Sequence, residues 1–317
     1  MPGYDTHYLY GINSYRRLPQ SNVKKAIYAN KGAYTLGLLG PDIFFYYATE
    51  VVAARKNIGS IMHTTNTGIF FRHMVEYTAS KKGRDRDIAT AYLSGFLSHY
   101  SLDCICHPYV YWKTDYLHKG KDYLEKHFSL ETDIDILLLK KYKDKTPYEF
   151  MKNSEINVDI IQMSVICDLL HYAIHKTYHD SRITRRGIKY AIGSIKKEQK
   201  LLRIASDRLK YAVGNVEKFF VGQNYIAPLI PGGCEIKNDD PLNINHDRWY
   251  NPWDLTKSYT MSVPDMLNKA REGYILTIFL LDSYLDEDLR TEDSYRDLMN
   301  NIGSRSYHSG LNCRIPS

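Results

Sequence analysis

The sequence specifies an all-α protein, a multi-helix bundle, and three observations carry that expectation. Apolar residues recur at spacings of three and four through long stretches such as IATAYLSGFLSHYSLDCIC and VPDMLNKAREGYILTIFLLDSYL. Alternating strand patterns with turn punctuation are scarce. Candidate metal ligands repeat every fourth residue, His99, Asp103 and His107 in SHYSLDCICHPY, then His127 and Glu131 in KHFSLETDID. That interval places side chains on one face of a helix, and ligands on neighbouring helices can then face inward to a shared ion.

Taken in order, Ser21 is the expected N-cap of a helix through NVKKAIYANKG. Asp85 or Asp87 is expected to open the long helix that carries the first ligands, and Pro108 to close it. Because a residue before proline is biased away from helical geometry, His107 is expected at the terminus, turned differently from His99 and Asp103 and available to another ion. KDYLEKHFSLETDIDILLLKKY reads as a helix with His127, Glu131 and Asp135 on one side. Further helices are expected at roughly 156 to 180, 184 to 213 and 263 to 285. From about 222 to 260, Gly232, Gly233, Pro241, Pro252 and two tryptophans mark a loop, and the tail beyond about 288 reads as polar and loosely packed. No linker or repeat divides the chain, so one helical domain over 1–290 and a polar tail over 291–317 are expected.

The 317 residues, 44% of them hydrophobic, are enough to bury a substantial core. No stretch approaches about 18 consecutive apolar residues, and MPGYDTHYLYG lacks a basic region followed by an apolar run. Neither a spanning helix nor a signal peptide is therefore expected, and the cytoplasm is the expected compartment. Five cysteines, an odd number, suit reducing conditions, and Cys104 and Cys106 diverge on a helix as packing residues rather than a redox pair. The net charge is +6, unevenly spread: residues 181–210 hold ten Lys or Arg against two acids. A solvated helix packed through Ile188, Ile192, Ile195, Leu202 and Leu209 accounts for that run, and peripheral contact with an anionic surface is the functional alternative.

Five ligands within 33 residues exceed what one four-coordinate zinc requires, which points to a cluster of metals. Together with THYLYG, GLLGPDIFFYY, MHTTNTGIFF and the late WYNPW segment, these residues resemble the zinc-dependent phospholipase C family of bacteria, over about the first 290 positions. GLLGPDI is closest to the broader, non-secreted phospholipase C/D branch. The resemblance implies the fold shared by zinc-dependent phospholipase C and the zinc nucleases. It implies one zinc held by Asp42, His63, His99 and Asp103 and a second by His107, His127 and Glu131. A third would take His7 and share Asp103. In the family that third metal also takes the amine and carbonyl of an N-terminal tryptophan, which this chain lacks, with Pro2 exposed by loss of Met1 as a conceivable substitute. The interval from Asp103 to His107 is shorter than in the secreted members, leaving the second site's arrangement open.

Such a set suits hydrolysis of a phosphoric ester. Closely spaced zinc ions lower the pKa of a bound water toward about 7 and clamp the phosphate, and Asp42 could both ligate and accept the water's proton. The expected activity is zinc-dependent phosphodiester hydrolysis, on a phospholipid or related diester. A non-catalytic, metal-stabilised binding or structural protein and a zinc nuclease are the alternatives, the nuclease favoured by a base-stacking aromatic platform beside the metals. His73, beside Arg72 and Glu76, reads as structural, and Asp135 as outside the ligand set. Tyr8, Tyr10, Tyr46 and Tyr47 line a cleft or, more simply, pack in the core. His171, His175 and His179, flanked by Asp168 and Asp180, form a second stripe without a counterpart in the family and read as a helix face.

Overall fold

A computed structural model of the protein describes residues 3–46, 57–151, 156–179, 181–203, 210–216 and 235–313. Helix α1 spans Tyr4–Arg17 and α2 spans Asn22–Ala29, where Ser21 Oγ accepts the Lys24 N–H at 3.1 Å as the expected N-cap. There follow α3 (Lys31–Gly37), a 3-10 helix (Gly40–Tyr46), α4 (Ile58–Thr64), α5 (Thr67–Ser80) and α6 (Gly83–Lys113). Next come α7 (Tyr123–Lys143), α8 (Pro147–Met151), α9 (Ile160–Thr177), α10 (Arg185–Arg203), α11 (Val263–Leu285) and α12 (Glu292–Ile302). Among the described residues the sheet is one antiparallel hairpin, β1 (Trp249–Asn251) with β2 (Asp254–Tyr259). The fold is all-α, as its periodicity specifies.

The chain is woven into two compact units, each built of separate segments. The first takes Met1–Leu9, Ile105–Glu155 and Lys197–Lys269; the second takes Tyr10–Cys104, Ile156–Lys196 and Ala270–Ser317. In the second unit, Phe70, Phe71, Phe96 and Tyr100 form an aromatic core, with Phe71 and Tyr100 ring centroids 4.8 Å apart and α9 packed on α5. Tyr10 is buried there beside Tyr274.

Two helices of this unit touch backbone to backbone. A Cβ on Gly37 would lie 2.3 Å from the Tyr92 carbonyl oxygen, and one on Gly95 would lie 2.2 Å from the Tyr34 carbonyl oxygen. Glycine inside a helix costs about 1 kcal/mol relative to alanine. Here it permits an approach of α3 to α6 that no side chain allows, and that approach brings the 3-10 helix against His99.

In the first unit, Asp135 accepts the backbone N–H groups of Asp5 and Thr6 at 3.2 and 3.0 Å, capping the start of α1. Asp133 on the same helix accepts from Lys237 N, Asn238 N and Asn238 Nδ2 at 2.7 to 2.9 Å. Trp249 is buried on β1, its indole N–H donating to the Met261 carbonyl and its ring lying 4.6 Å from that of Tyr259, tilted by 33°. Tyr8 packs on Phe150.

Several expectations need correction. Helix α6 opens at Gly83, before Asp85, and runs through Pro108 to Lys113. An internal proline costs about 3 kcal/mol. Burial of Tyr109 and Val110, with the Tyr109 hydroxyl donating to the Pro241 carbonyl at 3.0 Å, outweighs that cost. His107 therefore lies inside the helix rather than at its end. The WYNPW stretch, read as loop, forms the hairpin, since its strands are too short to show an alternating pattern. The tail is not loosely packed: Thr291 caps α12, Leu298 and Ile302 are buried, and Tyr307 is fully enclosed. On α10, Ile188, Ile192 and Ile195 are buried as expected, while the Leu202 and Leu209 side chains, much of the basic run, Tyr47, the Tyr46 side chain, Asp180, Gly232 and Gly233 lie outside the described residues.

The α3–α6 contact yields a stability test. Gly95→Ala adds one methyl where there is no room, and overpacking costs typically about 1 to 3 kcal/mol. Urea denaturation is expected to show a loss in that range, exceeding that of Gly193→Ala on α10, where a Cβ meets nothing within 4 Å. Equal stability of the two variants would refute the close-approach account.

Candidate metal centre

The expected ligands fall into buried groups. Asp42, His63 and His99, all in the second unit, offer atoms within 4.8 Å of one another. His107, His127 and Glu131, all in the first unit, do the same. Asp103, fully buried, faces His99 with Oδ2 at 3.0 Å from Nε2, although it is not among the three residues of that convergence. His7 is buried on α1.

Local structure explains each placement. The 3-10 helix starts at Gly40 with φ +51, and a Cβ there would lie 2.4 Å from the His99 ring, so only glycine lets the Asp42 turn sit against that imidazole. His63 stands in the last turn of α4, His99 and Asp103 one turn apart on α6, and His127 and Glu131 one turn apart on α7.

The decisive geometry lies behind the rings. His99 Nδ1 is 2.9 Å from the Leu38 carbonyl oxygen, and His63 Nδ1 is 2.7 Å from the Gly59 carbonyl oxygen. A carbonyl only accepts, so both Nδ1 atoms carry hydrogen and donate. Both Nε2 atoms therefore face carboxylates: His63 Nε2 is 3.2 Å from Asp42 Oδ1, and His99 Nε2 is 3.9 Å from Asp42 Oδ2. On α7, His127 Nε2 is 2.8 Å from Glu131 Oε1, and the Tyr123 hydroxyl supports its Nδ1 at 3.2 Å.

A lone pair aimed at a carboxylate oxygen needs a cation between them, either a proton or a metal. Burial by itself would lower the pKa of His99, but Asp103 and Asp42 outweigh it and hold the ring above its ordinary value. The set thus attracts positive charge strongly. Ligands about 2.0 to 2.2 Å from a tetrahedral zinc stand roughly 3.3 to 3.6 Å apart. The contacts of 3.0, 3.2 and 3.9 Å bracket that edge length. A divalent ion also neutralises two buried carboxylates at once, whereas burying them bare costs several kcal/mol each. The residues fit zinc.

Other candidates have structural roles. His73 Nδ1 bonds Glu76 at 3.1 Å. His171 and His175 rings lie 4.3 Å apart on α9, with His175 Nε2 at 2.7 Å from the Ile183 carbonyl, Asp168 paired with Arg185, and His171 depressed by burial and by His175. Among the described residues, the converging groups do not include that stripe. Asp135 caps α1 and is pushed up to about 6 by burial.

Three neighbours of the first group carry no local signal in the sequence. Phe45 stacks on His63 with centroids 5.2 Å apart while remaining exposed, and Tyr307 and His308 lie 5.0 and 5.3 Å from that ring. Tyr307 N–H donates to the His63 carbonyl at 2.9 Å, joining positions 244 residues apart. Burial, reinforced by His63, pushes His308 down to about 3.

Two metal-binding outcomes follow. Because His99 is held above its ordinary value of 6.5 and must lose its proton to ligate through Nε2, zinc affinity is expected to rise with pH through and above the ordinary imidazole range, with proton release detectable by calorimetry in two buffers. A pH-independent affinity would contradict this. In a zinc titration, Asp103→Asn is expected to weaken binding by at least about 100-fold, whereas Asp135→Asn keeps its zinc. Equal small losses would remove Asp103 from the ligand set.

The family model described as zinc dependent phospholipase C matches residues 6–184, more than half of the 317-residue chain and including every candidate ligand. No curated protein and no solved structure matches the chain. With its helical fold and paired histidine and carboxylate groups, the chain belongs to the zinc-dependent phospholipase C family.

Proposed function

We propose that the protein is a zinc-dependent phosphoric ester hydrolase acting on a phosphodiester, with a phospholipid headgroup ester as the leading substrate. The observation that carries this reading is the buried convergence of imidazole and carboxylate ligands, with the Nε2 atoms of His63 and His99 oriented by backbone carbonyls. Asp42, His63, His99 and Asp103 would hold one ion and His107, His127 and Glu131 a second. The resemblance assigns His7 to a third ion that would share Asp103. Zinc, when bound, supplies a Lewis acid for the phosphoryl oxygens and water with a pKa near about 7.

The chain's own residues divide the work. The second group's three protein ligands leave a position open, as in catalytic sites. The first group's two carboxylates cancel one divalent charge; the second group's single carboxylate leaves a net positive charge for an anionic diester. Asp42 presents its two oxygens to two different imidazoles, so one carboxylate orients both, and one of its oxygens is placed to accept a proton. Exposed Phe45, stacked on His63, adds an apolar element suited to a lipid substrate. The absence of any helix long and apolar enough to cross a membrane among the described residues is compatible with peripheral access. The basic run 181–210 is the proposed contact with an anionic surface, and the thiols of Cys104, Cys167 and Cys313 suit a cytoplasmic setting.

A nuclease activity is the second reading, and one observation favours it. Trp253, 37% exposed, lies 4.9 Å from Tyr111 and 4.7 Å from Tyr116, and Tyr111 lies 4.8 Å from His127. A cluster of aromatic rings with one partly exposed face beside a metal group suits a nucleobase.

A panel of phosphocholine, nucleotide and sugar-phosphate diesters separates these readings. Asp42→Asn is expected to reduce turnover of an activated phosphodiester by roughly two orders of magnitude per bound zinc while the helical circular dichroism is unchanged. A wild-type protein that hydrolyses no ester yet unfolds on chelation would instead establish a structural metal.

A further inference from the structure

The second group is oriented differently from the first. His63 and His99 give their Nδ1 hydrogens to backbone carbonyls, which accept and never donate. Nδ1 of His127 instead meets a hydroxyl, that of Tyr123, at 3.2 Å. A hydroxyl does either, so this contact by itself admits two tautomers of the neutral ring. If Tyr123 donates, Nδ1 bears the lone pair and Nε2, 2.8 Å from Glu131 Oε1, bears the hydrogen. If Tyr123 accepts, the hydrogen sits on Nδ1 and the Nε2 lone pair turns toward Glu131, which is what a shared metal requires.

The choice is made one step further out, by a residue just past the end of α6. The Tyr123 hydroxyl bonds the Thr114 side chain. Thr114 Oγ1 donates its single hydrogen to the Val110 carbonyl at 2.7 Å, with the Tyr111 carbonyl beside it at 3.5 Å. With that hydrogen committed to a carbonyl, Thr114 only accepts from Tyr123. Tyr123, its own hydrogen directed to Thr114, then only accepts from His127. Polarity therefore runs one way, from His127 Nδ1 through two hydroxyls to the backbone of α6. All three side chains are buried, and the Tyr123 ring is flanked by Tyr111, centroids 6.4 Å apart and planes inclined by 16°, and by Tyr116 at 5.9 Å. Thr114 N–H also bonds the Val110 carbonyl, at 3.1 Å, so its position is set by the last turn of α6. That turn exists because the helix runs through Pro108.

We propose that Thr114 and Tyr123 are positioning residues for the His107, His127 and Glu131 group, a hydroxyl relay that keeps the hydrogen of His127 on Nδ1 and turns Nε2 to the ion. The assignment rests on the metal-dependent hydrolase reading and deepens it by naming what orients the group with the open position.

The test uses the zinc-loaded full chain with Tyr123→Phe, Thr114→Val, both together, and Thr114→Ser, which restores the hydroxyl. Zinc affinity is read by titration, the solvent exchange of the His127 Nδ1 hydrogen by NMR, and turnover with an activated phosphodiester. Each of the first two variants is expected to weaken one bound zinc by about 10- to 100-fold and leave the other unchanged. The double variant is expected to lose no more than Tyr123→Phe alone, because the two act in series. Faster exchange of the Nδ1 hydrogen in Thr114→Val, and recovery of both properties in Thr114→Ser, distinguish a relay from a pair that only supports the fold. Unchanged zinc affinity overturns the assignment, as does equal weakening of every ion or full additivity in the double variant. If Tyr123→Phe fails to fold, Thr114→Val against Thr114→Ser decides by the same criteria. A wild-type protein that shows these zinc effects yet hydrolyses no ester refutes the hydrolase reading and leaves the relay standing. One that hydrolyses a diester with zinc affinity and turnover indifferent to both hydroxyls refutes the relay alone.

Discussion

The hydrogen bonds from His99 Nδ1 to the Leu38 carbonyl and from His63 Nδ1 to the Gly59 carbonyl decide what the first ligand group is. They fix the tautomers, and the tautomers turn two Nε2 lone pairs onto carboxylates. Leu38 directly follows α3, so the position of that carbonyl depends on how closely α3 meets α6. Gly37 and Gly95 set that distance by having no side chains, and Gly40 lets the next turn carry Asp42 past the His99 ring. A chain of backbone contacts therefore positions the chemistry. Loss of any one of these glycines would shift a carbonyl, and through it an imidazole, without touching a ligand.

The parts of the site that local spacing controls were legible in the sequence. His99 and Asp103, like His127 and Glu131, share helix faces because four residues make about one turn, and the structure keeps each pair within 3.0 Å. Asp42 and His63 follow no such spacing and were named through the motifs GLLGPDIFF and MHTTNTGIFF. Pro108 misled because a local cost of about 3 kcal/mol is smaller than the burial that Tyr109 and Val110 gain by continuing the helix. Asp135 shares the face of Glu131 yet serves α1, a role visible only once residues 129 or 130 positions away are placed beside it. The tail looked loose for the same reason: Ser306, Tyr307 and His308 are ordered by the His63 carbonyl and by Tyr100, which composition does not disclose.

Burying Asp42, Asp103 and Glu131 makes sense only if cations accompany them. Each buried carboxylate carries a desolvation cost of several kcal/mol, and a folded domain has only about 5 to 15 kcal/mol to lose. Protons meet part of that cost, as the raised pKa of His99 indicates. They do so unevenly, because an imidazolium offsets one carboxylate and adds a buried charge of its own, while a divalent ion offsets two and leaves the rings neutral. Metal loading of such groups would accordingly couple to folding. Coupling alone does not separate a structural ion from a catalytic one. Ligand count does: a group closed by four side chains is expressed mainly as stability, whereas one with three side chains and a single negative charge retains both an open position and a charge to use on an anion. On that physical ground the His107, His127 and Glu131 group keeps room and charge for an anion, while the Asp42 carboxylate, set between the His63 and His99 imidazoles, is the one placed to take a proton.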